Sequence, residues 1–459
     1  MLLNTAASLV PMCWGKAMEK KTNLVKCLVC GAVFDASLET CPVCGVGREQ
    51  FVPYEEAAPV FHNDTNEIYL ILGGGAAALN AAKAIRERDD TGTIVMVSEE
   101  NALPYNRPML TKGLSSDLSA EGLAIEPESW FESNRVFPIL GKAVTAVNTA
   151  DREVTLSSGE KLAYTKLIYA LGSHCFVPPF TGSDLPGIVA IRSLADVQTA
   201  QQDMQHSKKA VVIGGGVLGL EAAWELHRAG MDVTVLEHGS RLMPRQLNPE
   251  ASAFLTEAAE KAGVKIRTGM DVTAVEGSEH VTAVDTSEGL RFEAQLVIVS
   301  AGVRANVSVA KDMGLAVERA VVVDKQMKAA DNIWACGDCA ELDGVNRSNW
   351  PQAVEQGRVA GANAAGDSLT FEWDRMGLSF AGFNTALYAV GDNSHQPGRL
   401  YKTLEVKDEE NGHYRRLSFM NDRLIGVVLL GNVAAMQSLT DALAEGHTYQ
   451  QVLTQDILF

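Results

Sequence analysis

Four cysteines near the N-terminus form the most compact group of reactive side chains in the chain. They are two Cys-x-x-Cys pairs with ten residues between them, each pair followed by glycine: Cys27, Cys30, Cys41 and Cys44. Glycine at that place lets the backbone turn toward the sulfurs, and four thiolates at this spacing suit tetrahedral coordination of one metal ion. A module this short cannot fold on its core alone, so metal binding would stabilise it. The spacing leaves a zinc ribbon and a redox iron both open.

A glycine-rich turn is the next feature with chemical meaning. The apolar run Glu67 to Leu72 predicts a buried parallel strand. It leads into a GxGxxA pattern at Gly73, Gly75 and Ala78, then a helix and a second strand that we expect to end at Glu99. Strand, turn, helix, strand and acid in this order predict dinucleotide binding, with the pyrophosphate at the helix N-terminus and a ribose hydroxyl on the acid.

A second copy of this arrangement follows. Its turn has the full GxGxxG pattern at Gly214, Gly216 and Gly219. The strand after it is predicted to end at Glu237, whose carboxylate can bond the free 2′-hydroxyl of NAD and repels a 2′-phosphate. This favours NADH over NADPH, although His238 and Arg241 keep NADPH open. Two copies in one chain are far more specific than either alone.

Composition excludes other classes of protein. The chain has 459 residues, of which 46% are hydrophobic and 21% charged, so we expect a globular protein of several domains. A net charge of −18 argues against a nucleic-acid partner, and no apolar run is long enough to span a membrane. Residues 1–23 lack the basic start of a signal peptide and are interpreted as a disordered tail. The clustered cysteines fit a reducing cytoplasm better than a disulfide framework.

Residues 66–440 resemble the pyridine-nucleotide-disulfide oxidoreductase superfamily, especially its ferredoxin and rubredoxin reductases and the large subunit of assimilatory-type nitrite reductases. Besides the two turns, the resemblance rests on four stretches, 104–112, 165–173, 331–341 and 350–364, and on the short alternating strands after about residue 376. It implies that the first unit binds FAD and the second NAD. The further FAD contacts that it implies are Arg107, Lys112, Gly172, Gly337, Asp338 and Ala353. It also implies a catalytic pair, Lys112 beside the flavin and Glu221 at the nicotinamide pocket.

The cysteine module resembles the rubredoxin-like domain of rubrerythrins, which holds one iron in four thiolates. This resemblance, together with fusion to a flavin reductase, favours iron over zinc. Residues 101–115 contain no cysteine, whereas disulfide reductases and NADH peroxidases of the superfamily carry one or two there, so no thiol relays electrons beside the flavin. We interpret Cys175, Cys336 and Cys339 as packing residues.

The predicted fold is α/β, with two Rossmann-like domains, the FAD unit being interrupted by the NAD unit, a C-terminal α/β domain and a small N-terminal rubredoxin-like domain with a four-cysteine metal site. The expected divisions are a tail at 1–23, the rubredoxin-like domain at 24–55, a linker at 56–65, the FAD-binding domain at 66–185 and 301–370, the NAD-binding domain at 186–300, and an interface domain at 371–459 that often builds a homodimer.

The function predicted is an electron-transferring FAD-dependent NAD(P)H oxidoreductase (EC 1.18.1-like) that passes electrons between NADH, FAD and the iron centre. Its expected partner is a rubredoxin- or ferredoxin-type protein or a larger redox enzyme, such as a CO dehydrogenase or a peroxide-metabolism system. Two alternatives stay open. One is an NADH oxidase that uses oxygen, and the other is a flavoprotein whose cysteine module is a structural zinc docking piece.

Overall fold

The computed structural model describes residues 23–27, 32–42, 46–54, 61–373, 377–393 and 398–454. The N-terminal module contains one small antiparallel sheet in the order β2-β1-β3, and its aromatic residues Phe34 and Phe51 meet edge to face at 4.8 Å. Its strands are β1 Leu24–Cys27, β2 Val33–Asp35 and β3 Phe51–Tyr54.

The second unit begins with a strand whose residues are almost all buried, as expected for a parallel sheet that is covered on both faces. Its elements are β4 Ile68–Leu72, α1 Ala76–Arg86, β5 Thr93–Val97, α2 Met109–Lys112, α3 Ala120–Leu123, α4 Glu128–Ser133, β6 Val136–Ile139, β7 Val144–Asn148, β8 Glu153–Leu156, β9 Lys161–Ala163, β10 Lys166–Tyr169 and β11 Ser173–Cys175.

The chain then builds a separate five-stranded parallel sheet in the order β12-β19-β13-β14-β15. Its elements are β12 Ile188–Val189, α5 Leu194–Met204, β13 Lys209–Ile213, α6 Val217–Arg228, β14 Asp232–Glu237, α7 Pro249–Lys261, β15 Lys265–Thr268, β16 Val272–Gly277, β17 Val281–Thr286, β18 Arg291–Glu293 and β19 Leu296–Val299.

The next segment returns to the first large sheet and completes it in the order β22-β23-β10-β4-β5-β6. Strands from distant parts of the sequence therefore end at one edge. The elements of this segment are β20 Val303–Ala305, α8 Ser308–Asp312, β21 Val321–Val323, β22 Lys328–Ala330, β23 Ile333–Ala335, β24 Ala340–Leu342 and α9 Trp350–Ala364.

Helices α1 and α9 pack so closely that only glycine fits between them. A Cβ atom on Gly357 would lie 2.2 Å from the carbonyl oxygen of Ala77, and one on Gly361 would lie 2.2 Å from that of Ala81. This contact fixes the helix after the first glycine-rich turn against the helix that follows residues 331–341. The two halves of the first large sheet are thereby held together.

The C-terminal part is a five-stranded antiparallel sheet, in the order β25-β26-β29-β28-β27, covered by two helices. Its elements are β25 Leu378–Gly382, β26 Thr385–Gly391, β27 Lys402–Asp408, β28 His413–Met420, β29 Arg423–Leu430, α10 Met436–Glu445 and α11 Tyr449–Thr454. The α/β class that the sequence predicts is confirmed. In the part of the chain that the structure describes, no helix combines the length and apolar character needed to cross a membrane.

Candidate functional site

The first glycine-rich turn lies at the carboxyl edge of the large sheet. Gly73 has a φ of +137°, and its amide donates to the carbonyl of Val97 at 2.8 Å. A Cβ atom there would lie 2.1 Å from the Ala170 carbonyl oxygen, so this position requires glycine. Helix α1 begins directly after Gly75, and its first amides therefore face the edge where a pyrophosphate would bind.

The strand that precedes the acid of the first unit is shorter than expected. Strand β5 ends at Val97, not at Glu99, because the ladder with β4 stops there. Ser98 then occupies the position next to the glycine turn, with its Oγ 2.4 Å from where a Cβ on Gly74 would lie. Glu99 follows as an exposed residue. Its role as ribose ligand stays a prediction, since any contact would be made by an exposed side chain beyond the strand.

Arg107 is held by a glutamate that sequence reasoning missed. Its Nη2 lies 2.6 Å from Oε1 of Glu100, and the hydroxyl of Tyr105 donates to the other oxygen of the same carboxylate at 2.6 Å. Arg107 also donates to the backbone carbonyl of Arg192. The stretch from 104 to 112 is therefore tied both to the end of β5 and to the segment that precedes α5.

Asp338 is the centre of a polar cluster at the same sheet edge. It accepts a hydrogen bond from the Ser173 hydroxyl at 2.7 Å and an ion-paired one from Arg192 at 2.8 Å. The amide of Gly337, whose φ is +77°, donates to the Gln356 side chain at 2.9 Å. Sequence reasoning missed Ser173, Arg192 and Gln356, because only the sheet topology brings them to Asp338.

A polar pocket opens beside this cluster, at the N-terminus of α9. Gly337, Asp338 and Ala353, all predicted, line it. Asn349 caps α9 by accepting from the amide of Gln352 at 3.1 Å. The remaining lining residues are Ala340, Arg347, Ser348, Asn349, Gln352 and Gln356. A helix N-terminus with amide and hydroxyl groups suits a polar, electron-rich ring edge or an anion.

In the second glycine-rich turn, Glu237 is placed as predicted. Strand β14 ends at this residue, and its carboxylate accepts hydrogen bonds from the amides of Gly215 and Gly239, both at 2.6 Å. Gly214 has a φ of +117°. A Cβ on Gly219 would lie 2.1 Å from the Gly214 carbonyl oxygen, which explains the third glycine of the pattern as one needed for close helix packing.

Lys112 and Glu221 bring the two units together. Lys112 ends α2 of the first unit and Glu221 lies in the first part of α6, and their charged groups are 3.7 Å apart. The Thr111 hydroxyl donates to the same carboxylate at 2.6 Å. Burial raises the pKa of Glu221, and the Lys112 ammonium and the Thr111 hydroxyl only partly offset that effect. A buried carboxylate of α6 and a part-exposed ammonium of α2 therefore meet between the two glycine-rich units.

Comparison with known proteins decides the family. Residues 68–357 match the model for the pyridine nucleotide-disulphide oxidoreductases, and residues 379–447 match the model for the rubredoxin NAD+ reductase C-terminal domain. The chain belongs to the pyridine nucleotide-disulphide oxidoreductase family. Membership supports FAD and NAD(H) as its cofactors, and the second match confirms the resemblance seen in the C-terminal part.

Among its relatives, the rubredoxin-NAD(+) reductase of Pseudomonas putida is 34% identical over 59% of this chain and 71% of that protein. The NADH-rubredoxin oxidoreductase of Clostridium acetobutylicum is 27% identical over 85% of this chain and 97% of that protein. The crystal structure of an NADH:rubredoxin oxidoreductase from the same organism superposes with a TM-score of 0.71, at 26% identity, over 86% of this chain and 99% of that one.

Larger relatives also match. The assimilatory nitrate reductase electron transfer subunit of Bacillus subtilis is 28% identical over 82% of this chain. The chain spans about half the length of that protein and of the Bacillus subtilis nitrite reductase. The structure of a putidaredoxin reductase in covalent complex with putidaredoxin has a TM-score of 0.77 at 27% identity, covering 83% of this chain and 94% of that one.

The Cys-x-x-Cys pair beside Asp338 is deeply buried. Both Cys336 and Cys339 have no exposed surface, and the Cys339 thiol donates to the carbonyl of Cys336 at 3.3 Å. Burial raises the pKa of Cys339 to about 12 and that of Cys336 well above its usual range. Burial likewise raises the pKa of Cys175. Thiols that stay protonated are poor nucleophiles, which supports their interpretation as packing residues.

The described residues of the N-terminal cysteine module make the same backbone hydrogen bond at two places. The amide of Cys27 donates to the carbonyl of Ala32 and that of Cys41 donates to the carbonyl of Val46, both at 2.8 Å and both across five residues. Cys27 is fully buried and Cys41 is 2% exposed. Cys30 and Cys44 lie outside the described residues. The same hydrogen bond therefore follows a buried cysteine at two places in the described residues, and the four-thiolate site that the spacing predicts stays a prediction.

Proposed function

We propose that this protein is an NAD(H)-dependent FAD reductase of the rubredoxin and ferredoxin reductase type, and that it exchanges electrons between NADH, FAD and an iron ion in its N-terminal module. The observation that carries the proposal is the contact of Lys112 in α2 with Glu221 in α6. It joins the unit that would hold FAD to the unit that would hold NADH, and a hydride would have to pass between these two units.

In this proposal FAD lies along the first glycine-rich turn, the Arg107 segment and the pocket at α9. Gly73 and Gly75 would leave room for the pyrophosphate, Asp338 would present a carboxylate to the ribityl hydroxyls, and Glu99 would bind the adenine ribose. NADH binds at Gly214, Gly216 and Gly219, with Glu237 on its ribose. Bound FAD would accept a hydride and release electrons singly.

The residues of this chain contribute position and charge. Arg107 is fixed by Glu100, so its guanidinium can hold one orientation along the cofactor. The Lys112 ammonium would supply a positive charge to the reduced cofactor, and buried Glu221 holds that ammonium by an ion pair. Residues 101–115 contain no cysteine, so electrons leave by a route other than a thiol.

Electron count requires an external partner. NADH delivers two electrons as a hydride, while a single iron takes one, so an outside one-electron carrier must oxidise the iron twice for each NADH. A rubredoxin- or ferredoxin-type protein, or a larger redox enzyme, fits this role.

We also propose that the C-terminal domain forms the contact between two chains of a homodimer.

The test is an anaerobic reaction of the purified full chain with NADH, after its metal content has been measured. We expect one FAD and one iron per chain, bleaching of the flavin, and then bleaching of the ferric thiolate absorption. Zinc in place of iron, or ferric absorption that NADH leaves unchanged, would refute the relay. Rapid oxygen uptake that accounts for all of the NADH, with no electron reaching the metal, would favour the NADH oxidase instead.

A further inference from the structure

The N-terminal cysteine module is packed against the rest of the protein. Cys27, Phe34 and Cys41 belong to one continuous buried apolar cluster with Tyr388 and Phe419 of the C-terminal sheet. Such a cluster removes apolar surface of both partners from water, which stabilises their association. The module is therefore held in place by the C-terminal domain, and its position relative to the flavin unit is set by where that domain lies.

A second contact joins the module to the segment that would lie along FAD. The side-chain amide of Asn106 donates to the carbonyl of Pro42, which directly follows Cys41 in the second metal loop. Asn106 is only 6% exposed. Its backbone amide is bound by the Leu123 carbonyl at 2.8 Å, so the segment that presents it is fixed.

The hydrogen bonds of the buried Asn106 side chain indicate its role. Its side-chain oxygen has no hydrogen-bond partner among the residues that the structure describes, so the contact to Pro42 is the one described bond of a buried amide. Burying an amide is unfavourable unless it is hydrogen-bonded. Asn106 also stands directly between Tyr105 and Arg107, both part of the Glu100 network. The Asn106 side chain therefore connects the loop that follows Cys41 directly to the segment 104–112, which we call the flavin segment.

We infer that Asn106 is a positioning residue that docks the second metal loop onto the flavin segment, so that this face of the reductase is covered by the chain's own module and not by a separate carrier. The inference deepens the proposed function and rests on it for its redox part. It implies that electrons pass from FAD to the metal within one chain, and that an external carrier meets the module instead of the flavin.

The substitution Asn106→Asp tests this docking, because it keeps the shape of the side chain but turns a carboxylate oxygen toward the Pro42 carbonyl. The matched control is Asn134→Asp, since Asn134 also donates from its amide to a backbone carbonyl, that of Trp130 at 2.8 Å, but within its own helix end. Rapid mixing of the iron-loaded full chain with NADH follows flavin and metal in the same trace.

In the wild type we expect the rate constant of metal reduction to be independent of protein concentration. In Asn106→Asp we expect the ratio of the rate constant of metal reduction to that of flavin reduction to fall about tenfold. This factor corresponds to a loss of about 1.4 kcal/mol in the free energy of docking. In Asn134→Asp we expect the ratio to be unchanged. A ratio that Asn106→Asp leaves at the wild-type value, or a rate proportional to protein concentration, would overturn the inference.

A readout without electron transfer separates this inference from the proposed function. In the zinc-loaded full chain, hydrogen exchange of the backbone amides in 32–42 and in β28 should be faster in Asn106→Asp than in the wild type and in Asn134→Asp. Equal exchange in all three would overturn the docking even if the metal is redox-active. Faster exchange would support the docking even if NADH never reduces the metal, in which case the proposed function alone fails.

Discussion

Replacing Glu237 by alanine should change which nicotinamide cofactor the protein uses. Both carboxylate oxygens are already oriented by amides at 2.6 Å, from Gly215 and Gly239, and each oxygen keeps a lone pair for a ribose hydroxyl. A hydrogen bond to a charged group contributes about 1.5–3 kcal/mol. Its loss therefore corresponds to a decrease of about 10- to 150-fold in kcat/KM for NADH.

NADPH should respond in the opposite direction. The carboxylate opposes the 2′-phosphate, so its removal should leave kcat/KM for NADPH equal or higher, and the NADH-to-NADPH preference should fall by at least about tenfold. The assay is anaerobic flavin reduction over a range of each cofactor. Glu276→Ala is the control, since Glu276 is an exposed glutamate of the same domain, and the thermal midpoint reports on folding. Equal losses with both cofactors, or none with NADH, would refute the reasoning.

Three further outcomes follow from contacts elsewhere in the site. Because burial raises the pKa of Glu221 above its ordinary 4.5, the free energy of unfolding should fall as pH rises from 4.5 toward that higher pKa, and Glu221→Gln should abolish this fall; urea titrations that run parallel for both proteins would contradict it. Arg192→Gln removes the ion pair to Asp338 and should weaken FAD binding about tenfold, as measured by release of fluorescent FAD, whereas unchanged binding would exclude Arg192 from the site. Gly357→Ala places a Cβ 2.2 Å from the Ala77 carbonyl oxygen and should lower the free energy of unfolding by about 1–3 kcal/mol or more; an unchanged thermal midpoint would show that the two helices can separate.

Local sequence patterns were sufficient to predict the features of the site that depend on a few neighbouring residues. The two glycine-rich turns were predicted correctly, since Gly73 and Gly214, which begin them, both have a positive φ that other residues rarely adopt. The acid at the end of β14 was also placed correctly. The end of β5 was not, because β5 ends at Val97 and Ser98 follows it beside the glycine turn; the role of Glu99 stays a prediction. A strand end depends on its partner in the ladder, which the sequence does not display.

Contacts between residues that are distant in the sequence could not be predicted from the sequence. Arg192 reaches Asp338 across 146 positions, and Ser173 and Gln356 join the same cluster. Ser173 and Gln356 lie in stretches that carry the family resemblance, but the roles of these three residues do not follow from their neighbours in the sequence. They become functional candidates only because β10, β23 and α9 end at one edge. The Lys112–Glu221 pair was found in advance only through resemblance to a family.

The sequence by itself determined the kinds of chemistry available: two glycine-rich nucleotide turns, a four-cysteine module, and no cysteine between 101 and 115. These follow from local sterics and from side-chain type, which a single chain displays directly. The tertiary structure decided how the parts face one another. It placed Lys112 against Glu221 and the Asn106 amide against the Pro42 carbonyl, because sheet order and helix packing bring together residues whose separation along the chain carries no signal of their contact.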